Sequence, residues 1–311
     1  VGFAHDRFYL CAKRVDADPR QEFRAIPPAL IRKQALALAG RFPRNRLIQH
    51  LIRSCALTYG CPAARNFCLG RHEAPLPVSR ACNARCLGCI SRQDEDSPIR
   101  RTPQCRMDFT PTAEEIVEVM REHAGRETTA PIYSFGQGCE GEPLTEAPLI
   151  AAAIRKFRSG GGRGTINLNS NASMPEALAD LAGAGLSSLR VSLNSARPEA
   201  YARYHRPGNY TFAEVVRSIR VAKAAGLYVS LNLLFFPGFS DAEEELAALI
   251  ALVRQENVDC LQLRNLNIDP DLYLDLMGGL STGPCAGFLN ARKRLLRECP
   301  RLRLGYFNPP L

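Results

Sequence analysis

Tryptophan is absent, aromatic residues make up 7% of the 311 positions, and histidine occurs only 5 times. So few rings argue against a single-stranded nucleic-acid stacking platform. No apolar run approaches the roughly 20 residues a membrane-crossing helix needs. The nearest candidate, 227–236, is too short and carries Ser230 and Asn232. No leader is legible, although the chain opens at Val1 rather than Met, and a cytoplasmic location with no membrane partner is expected. Nor is there the bias of a disordered chain: 46% hydrophobic and 23% charged residues describe a globular protein.

What is present is basic and rich in cysteine. The net charge is +9, but nucleic-acid binding requires such charge on one face or stripe. Arginine is instead scattered, and Arg217, Arg220, Arg292, Arg294 and Arg297 fall at outward positions of helical patterns. An arginine-rich solvated surface is the expectation, with an anionic partner such as RNA as the lesser reading. Of 12 cysteines, seven lie between Cys55 and Cys105. In a reducing compartment, crowded thiols point to metal before disulfides.

The chain reads as two parts. Residues 1–74 form a cysteine-rich α+β extension: a hairpin to about Asp16, a helix after Pro27-Pro28, and another from about Asn45 to Tyr59. That second helix places Leu47, Ile48, Leu51, Ile52 and Cys55 on one face. The stretch from there to Cys105 shows little regular pattern. From residue 75 to 311, strands alternate with amphipathic helices, the strands near 76–79, 131–135, 165–169, 188–193, 227–236 and 260–266. One helix is expected to start at 110–115, with Pro111 in a first turn and Thr112 and Glu115 as a capping box, and others to span about 146–158, 175–184, 211–225, 241–255 and 284–298. Six strand–helix units imply parallel strands, in a partial barrel or a doubly wound sheet. Either gathers ligands at the carboxyl ends of strands. Polar residues do follow the strands there: Gln137, Asn169-Ser170-Asn171, Asn194-Ser195 and Arg264-Asn265.

Cys82, Cys86 and Cys89 put three thiols on one short loop after the first strand. Three ligands leave a four-ligand centre one open position, the arrangement of a catalytic site. Spacing alone also permits zinc, with His72 or Cys105 as a fourth ligand.

The Cys-x3-Cys-x2-Cys trio after the first strand resembles the signature of the radical S-adenosylmethionine (SAM) superfamily. Gly141-Glu142-Pro143, preceded by Gly138, resembles that family's Gly-Gly-Glu-Pro motif, with Glu140 where its first glycine belongs. Asn169-Ser170-Asn171 resembles the turn after the third strand, and Ser192 and Asn194 the segment on the fourth. Arg206 falls where the family pairs arginine with the SAM carboxylate, and Asn232 and Arg264 lie on strands that face SAM or substrate. The resemblance spans about 75–267 and implies a partial (β/α)6 barrel resembling part of a TIM barrel. It implies a [4Fe–4S] cluster held by Cys82, Cys86 and Cys89, with SAM bound through the remaining positions. It further implies a one-electron donor such as flavodoxin or ferredoxin, and a 5′-deoxyadenosyl radical that abstracts hydrogen from a substrate. A peptide or protein is the favoured substrate class, then a small molecule, then RNA. The alternative of another class is a zinc- or iron–sulfur-stabilised binding module without catalysis.

A second iron–sulfur cluster or a zinc would draw on Cys61, Cys68 and Cys105. Cys55, on an apolar helical face, and Cys139 read as packing residues, and Cys260 and Cys299 as structural. His5, His50, His72 and His123 lack companions at ligand spacing, and His205 has a local role beside Arg206.

Overall fold

Alternation along the strands sets the architecture. In Ser188-Leu189-Arg190-Val191-Ser192-Leu193 every second residue is apolar, whereas a parallel strand buried between two helical layers reads apolar throughout. One face of this sheet must therefore be polar. The computed structural model describes residues 2–9, 22–95, 97–99, 102–127, 129–265, 268–280, 283–305 and 308–311.

The extension opens with the expected antiparallel hairpin, β1 (Gly2–Ala4) and β2 (Arg7–Tyr9); residues 10–21, where its continuation to Asp16 was expected, lie outside those described. Next come α1 (Pro28–Arg41) and α2 (Arg46–His50), the latter running on as π-helix over Leu51–Thr58. Leu47, Ile48, Leu51, Ile52 and Cys55 are buried as the pattern demanded. The stretch that looked irregular holds α3 (Pro62–Leu69) and the first barrel strand, β3 (Glu73–Leu76). That strand ends where it was expected to begin. The amides of Val78 and Ser79 donate to the Glu140 carboxylate, at 2.7 and 2.9 Å, rather than to a neighbouring strand. Pro75 is tolerated because β3 is an edge.

β4 (Ile132–Phe135), β5 (Thr165–Ser170), β6 (Ser188–Leu193), β7 (Tyr228–Phe235) and β8 (Cys260–Asn265) follow, then a short unforeseen strand, β9 (Arg303–Gly305). The seven are parallel and lie side by side in chain order, β3 to β9. A doubly wound sheet reverses its order at a switch point; this one does not, and it is a partial barrel with a seventh strand. The connecting helices are α4 (Ala113–Arg126), α5 (Ala147–Ser159), α6 (Pro175–Ala184), α7 (Pro198–His205), α8 (Phe212–Ala224), α9 (Glu243–Gln255), α10 (Pro270–Met277) and α11 (Phe288–Glu298). The short α7 and α10 were not foreseen. Thr112 and Glu115 do form a capping box on α4, so Pro111 stands before the cap rather than in the first turn. The last helix starts four residues late, because Ala286 donates its amide to the Asp241 carbonyl and Cys285 bridges to Ala242.

Parallel pairing keeps registered residues on one face. Asn167, Ser188 and Ser134 share one level, Asn169, Arg190 and Ser230 the next, then Ser192, Asn232 and Gln262. Alternate positions, among them Leu168, Leu189, Val191, Leu231 and Leu261, are buried in the main core; each such side chain contributes about 1.5–3 kcal/mol by leaving water. At the base, the Asn308 side chain donates 2.9 Å to Glu73, and the Leu311 amide donates 2.7 Å to the Thr165 hydroxyl. The carboxyl-terminal residues thus tie β3 to β5 at their first residues, and the opposite rim is left for ligands.

Candidate functional site

The cysteine loop leaves the top of β3 and docks on the end of α7. The Arg85 amide donates to the carbonyls of His205 and Arg206, the Leu87 amide to Tyr204, and the Gly208 amide to Asn83. Cys82, Cys86 and Cys89 are half-buried. Each thiol has a different environment. Burial raises Cys82 and Cys86 above the ordinary thiol range. At Cys89 burial pushes the same way, but the amides and hydroxyl of Ser91 and Arg92, with the Arg106 guanidinium, bring it below. Arg106 lies 3.5 Å from the Cys89 sulfur, and His205 Nδ1 lies 3.3 Å from that of Cys86. Burial lowers the His205 ring to about 3, so it meets Cys86 uncharged at neutral pH.

The segment after β4 fits against this loop through its backbone. A Cβ at Gly141 would stand 1.8 Å from the Ala81 carbonyl oxygen, so only glycine allows this approach. The Gly141 and Glu142 amides donate to Ser79 and Ala81 at 2.7 and 2.8 Å. Glu142 is buried and its carboxylate accepts from the Leu144 amide, the Ser170 hydroxyl and the Asn171 amide. It joins the ends of β4 and β5. Glu140 does the same for β3 and β4, accepting from Val78, Ser79 and, at 2.6 Å, Gln137. Desolvation raises both carboxyls to about 7. Pro143 opens a short 3₁₀ turn, and Gly138 faces Ile90 and Gln104 of the loop after the cysteines.

The other expected residues divide between the rim and the packing. Asn171 donates 2.8 Å to Asn83 inside the cysteine loop, and Asn169 donates 2.8 Å to the Gly136 carbonyl. Ser192 and Asn232 face each other across β6 and β7, and Asn232 accepts from Arg264 at 2.8 Å. Arg206 closes α7 with left-handed backbone beside the loop. Asn194 is committed elsewhere: buried, it donates to the Ala200 carbonyl. Asn83, Arg106, Glu140 and His205 were not expected as site members. Separation from Cys82–Cys89 in sequence hid Arg106, His205 was placed near the site beside Arg206 but given only a local or surface role, and Asn83 lies between two of the cysteines.

The sulfurs of Cys82, Cys86 and Cys89 do not all lie within 4.8 Å of one another. Cys61, half-buried, Cys68, buried, and Cys105, exposed, are likewise not gathered to 4.8 Å. The group that is gathered, among the described residues, is His50, Cys55 and Cys139. His50, without companions at ligand spacing in the sequence, gains Cys55 and Cys139 as neighbours in the fold, Cys139 coming from the segment after β4. Segment 22–74 flanks β3 and α4, with Asn45 and Arg46 bonded to Glu115, and reaches the rim near Cys139.

The family model of the Radical SAM superfamily matches residues 76–250. A GTP 3′,8-cyclase of Marinobacter nauticus is 29% identical over 190 residues, 59% of this chain and 51% of that protein; the chain spans about half the length of this curated relative. A radical SAM methyltransferase from Sphaerobacter thermophilus superposes with a TM-score of 0.51 at 16% identity, over 76% of this chain and 67% of that one. SuiB from Streptococcus suis gives 0.50 at 12% identity, over 93% and 68%. At such identities the structural likeness concerns the fold alone. No helix among the described residues is long and apolar enough to cross a membrane.

Proposed function

Because this chain belongs to the radical SAM superfamily, a family of enzymes that use a [4Fe–4S] cluster and SAM, we propose that Cys82, Cys86 and Cys89 hold the cluster and that SAM binds beside it at the carboxyl ends of β4 to β8. The observation that carries this reading is the loop of three half-buried thiols pressed against Gly141 and Glu142. Cluster and SAM together supply hydrogen abstraction by a 5′-deoxyadenosyl radical, the hard chemistry being the cofactors'.

The protein's share is placement and charge. Arg106 offsets the negative charge of Cys89, and the docking of Arg85 and Leu87 on α7 fixes the loop. Glu140 and Glu142 hold three strand ends in register behind it. Ser192, Asn232, Arg264 and Arg206 are proposed SAM contacts, with Asn169 and Asn171 orienting the rim. The inner face, with Arg190, Gln262 and Asn167, suits a polar substrate, and a peptide or protein segment is the first class to test. A cytoplasmic one-electron donor, flavodoxin or ferredoxin, is the proposed partner.

Anaerobic reconstitution with iron and sulfide tests the assignment. About four irons and four sulfides per chain, lost in Cys82→Ala, Cys86→Ala and Cys89→Ala, are expected. Zinc without sulfide at the trio would instead identify a metal-stabilised binding module.

A further inference from the structure

Cys55 and Cys139 face each other in the core with their sulfurs 3.8 Å apart, and a His50 ring nitrogen lies within 4.8 Å of both. The two thiols are 3% and 5% exposed. The helix register creates this group. In an α-helix, residues five apart point about 140° away from each other, which would separate His50 from Cys55. The backbone over Leu51–Thr58 is π-helical, and an i→i+5 repeat returns Cys55 to the side of His50. The π turn costs hydrogen-bond quality and is characteristically kept at functional sites. The third member arrives from the loop after β4, two residues before Gly141.

We propose that His50, Cys55 and Cys139 form a mononuclear site for a soft divalent cation, zinc in the first instance, separate from the cysteine trio. The sulfur separation is already that of two ligands on one tetrahedral zinc, about 3.8 Å for bonds of about 2.3 Å. Two thiols and an imidazole are a zinc ligand set. Cys61 is the nearest further thiol along the chain as a candidate fourth ligand, and its amide donates 2.8 Å to the Cys55 carbonyl. Two buried thiols in contact also explain why Cys139 is held well above the ordinary thiol range, first by Cys55 and then by burial; a cation removes that conflict by taking both as thiolates. The metal would pin the extension to the segment that carries Gly141 and Glu142, an internal brace for the rim. The site itself stands whether or not that rim binds SAM.

The test uses the full chain with Cys82, Cys86 and Cys89 changed to alanine, so that the trio contributes nothing, and Co²⁺ as the probe. The expected result is one Co²⁺ per chain with tetrahedral d–d bands and thiolate charge-transfer absorption, displaced by one equivalent of Zn²⁺. Cys55→Ser and Cys139→Ser should each remove the charge-transfer band or cut the affinity at least tenfold, while Cys105→Ser leaves both unchanged. Absence of a tetrahedral signal in the trio-free chain, with circular dichroism as in the parent, overturns the proposal. A signal that persists in the Cys55→Ser, Cys139→Ser double variant, with helical circular dichroism intact, overturns it as well.

Discussion

Glu140 stands where the resemblance led us to expect a glycine, and its carboxylate accepts from three amides. Glu140→Gly leaves the buried Val78 and Ser79 amides and the half-buried Gln137 amide without their acceptor. An orphaned buried donor costs about 1–3 kcal/mol, and a loss of about 2–4 kcal/mol in urea unfolding is expected; an unchanged midpoint would remove the bracing role. A second residue ties stability to pH. His123, on α4, is fully buried among Phe67 and Tyr133 and lowered by desolvation to about 4. A depressed imidazole is neutral in the folded chain and charges on unfolding. Its contribution is therefore complete above about pH 6.5 and lost as pH falls toward 4, by roughly 3 kcal/mol over that window. Urea midpoints measured from pH 7 to 4 should fall more steeply in the parent than in His123→Gln, and parallel slopes would refute this. The trio was legible because its three cysteines lie within eight residues. His50 with Cys139 was not, since one partner is remote in sequence and the other is aligned by a π turn that no propensity announces.

At the scale of elements, the sequence carried the alternation of strands and helices, and the polar positions after each strand are where the rim forms. The shifted first strand was less legible, because the amides that end it are claimed by a carboxylate some sixty residues on. The short helices α7 and α10 and strand β9 offer too few residues for periodicity to register. Two substitutions probe elements directly. Gly141→Ala places a methyl group against the Ala81 carbonyl, so the loop below Cys82 must move; SAM retention in equilibrium dialysis of the reconstituted protein is expected to fall at least tenfold. Retention equal to the parent's would show that the close approach is dispensable. Thr112→Ala removes the capping box of α4 and should cost about 1 kcal/mol in chemical denaturation while leaving iron content as in the parent.

For the whole molecule, the fold divides labour between two ends of one sheet. The base is tied shut by Asn308 and Leu311 against Glu73 and Thr165, and the opposite rim gathers the cysteine loop, the Gly141–Glu142 segment and the end of α7. The six units left a partial barrel or a doubly wound sheet open, and the resemblance implied the barrel; the polar inner face, running from Ser134 to Gln262, explains why its strands alternate instead of reading apolar throughout. The measurement that tests the central claim most directly is formation of 5′-deoxyadenosine by the anaerobically reconstituted chain given SAM and a strong reductant. The account predicts that it forms, and that it disappears when Cys82, Cys86 and Cys89 are changed to alanine. A fully loaded cluster that binds SAM and yields no 5′-deoxyadenosine, or a yield that survives loss of the three cysteines, would contradict it.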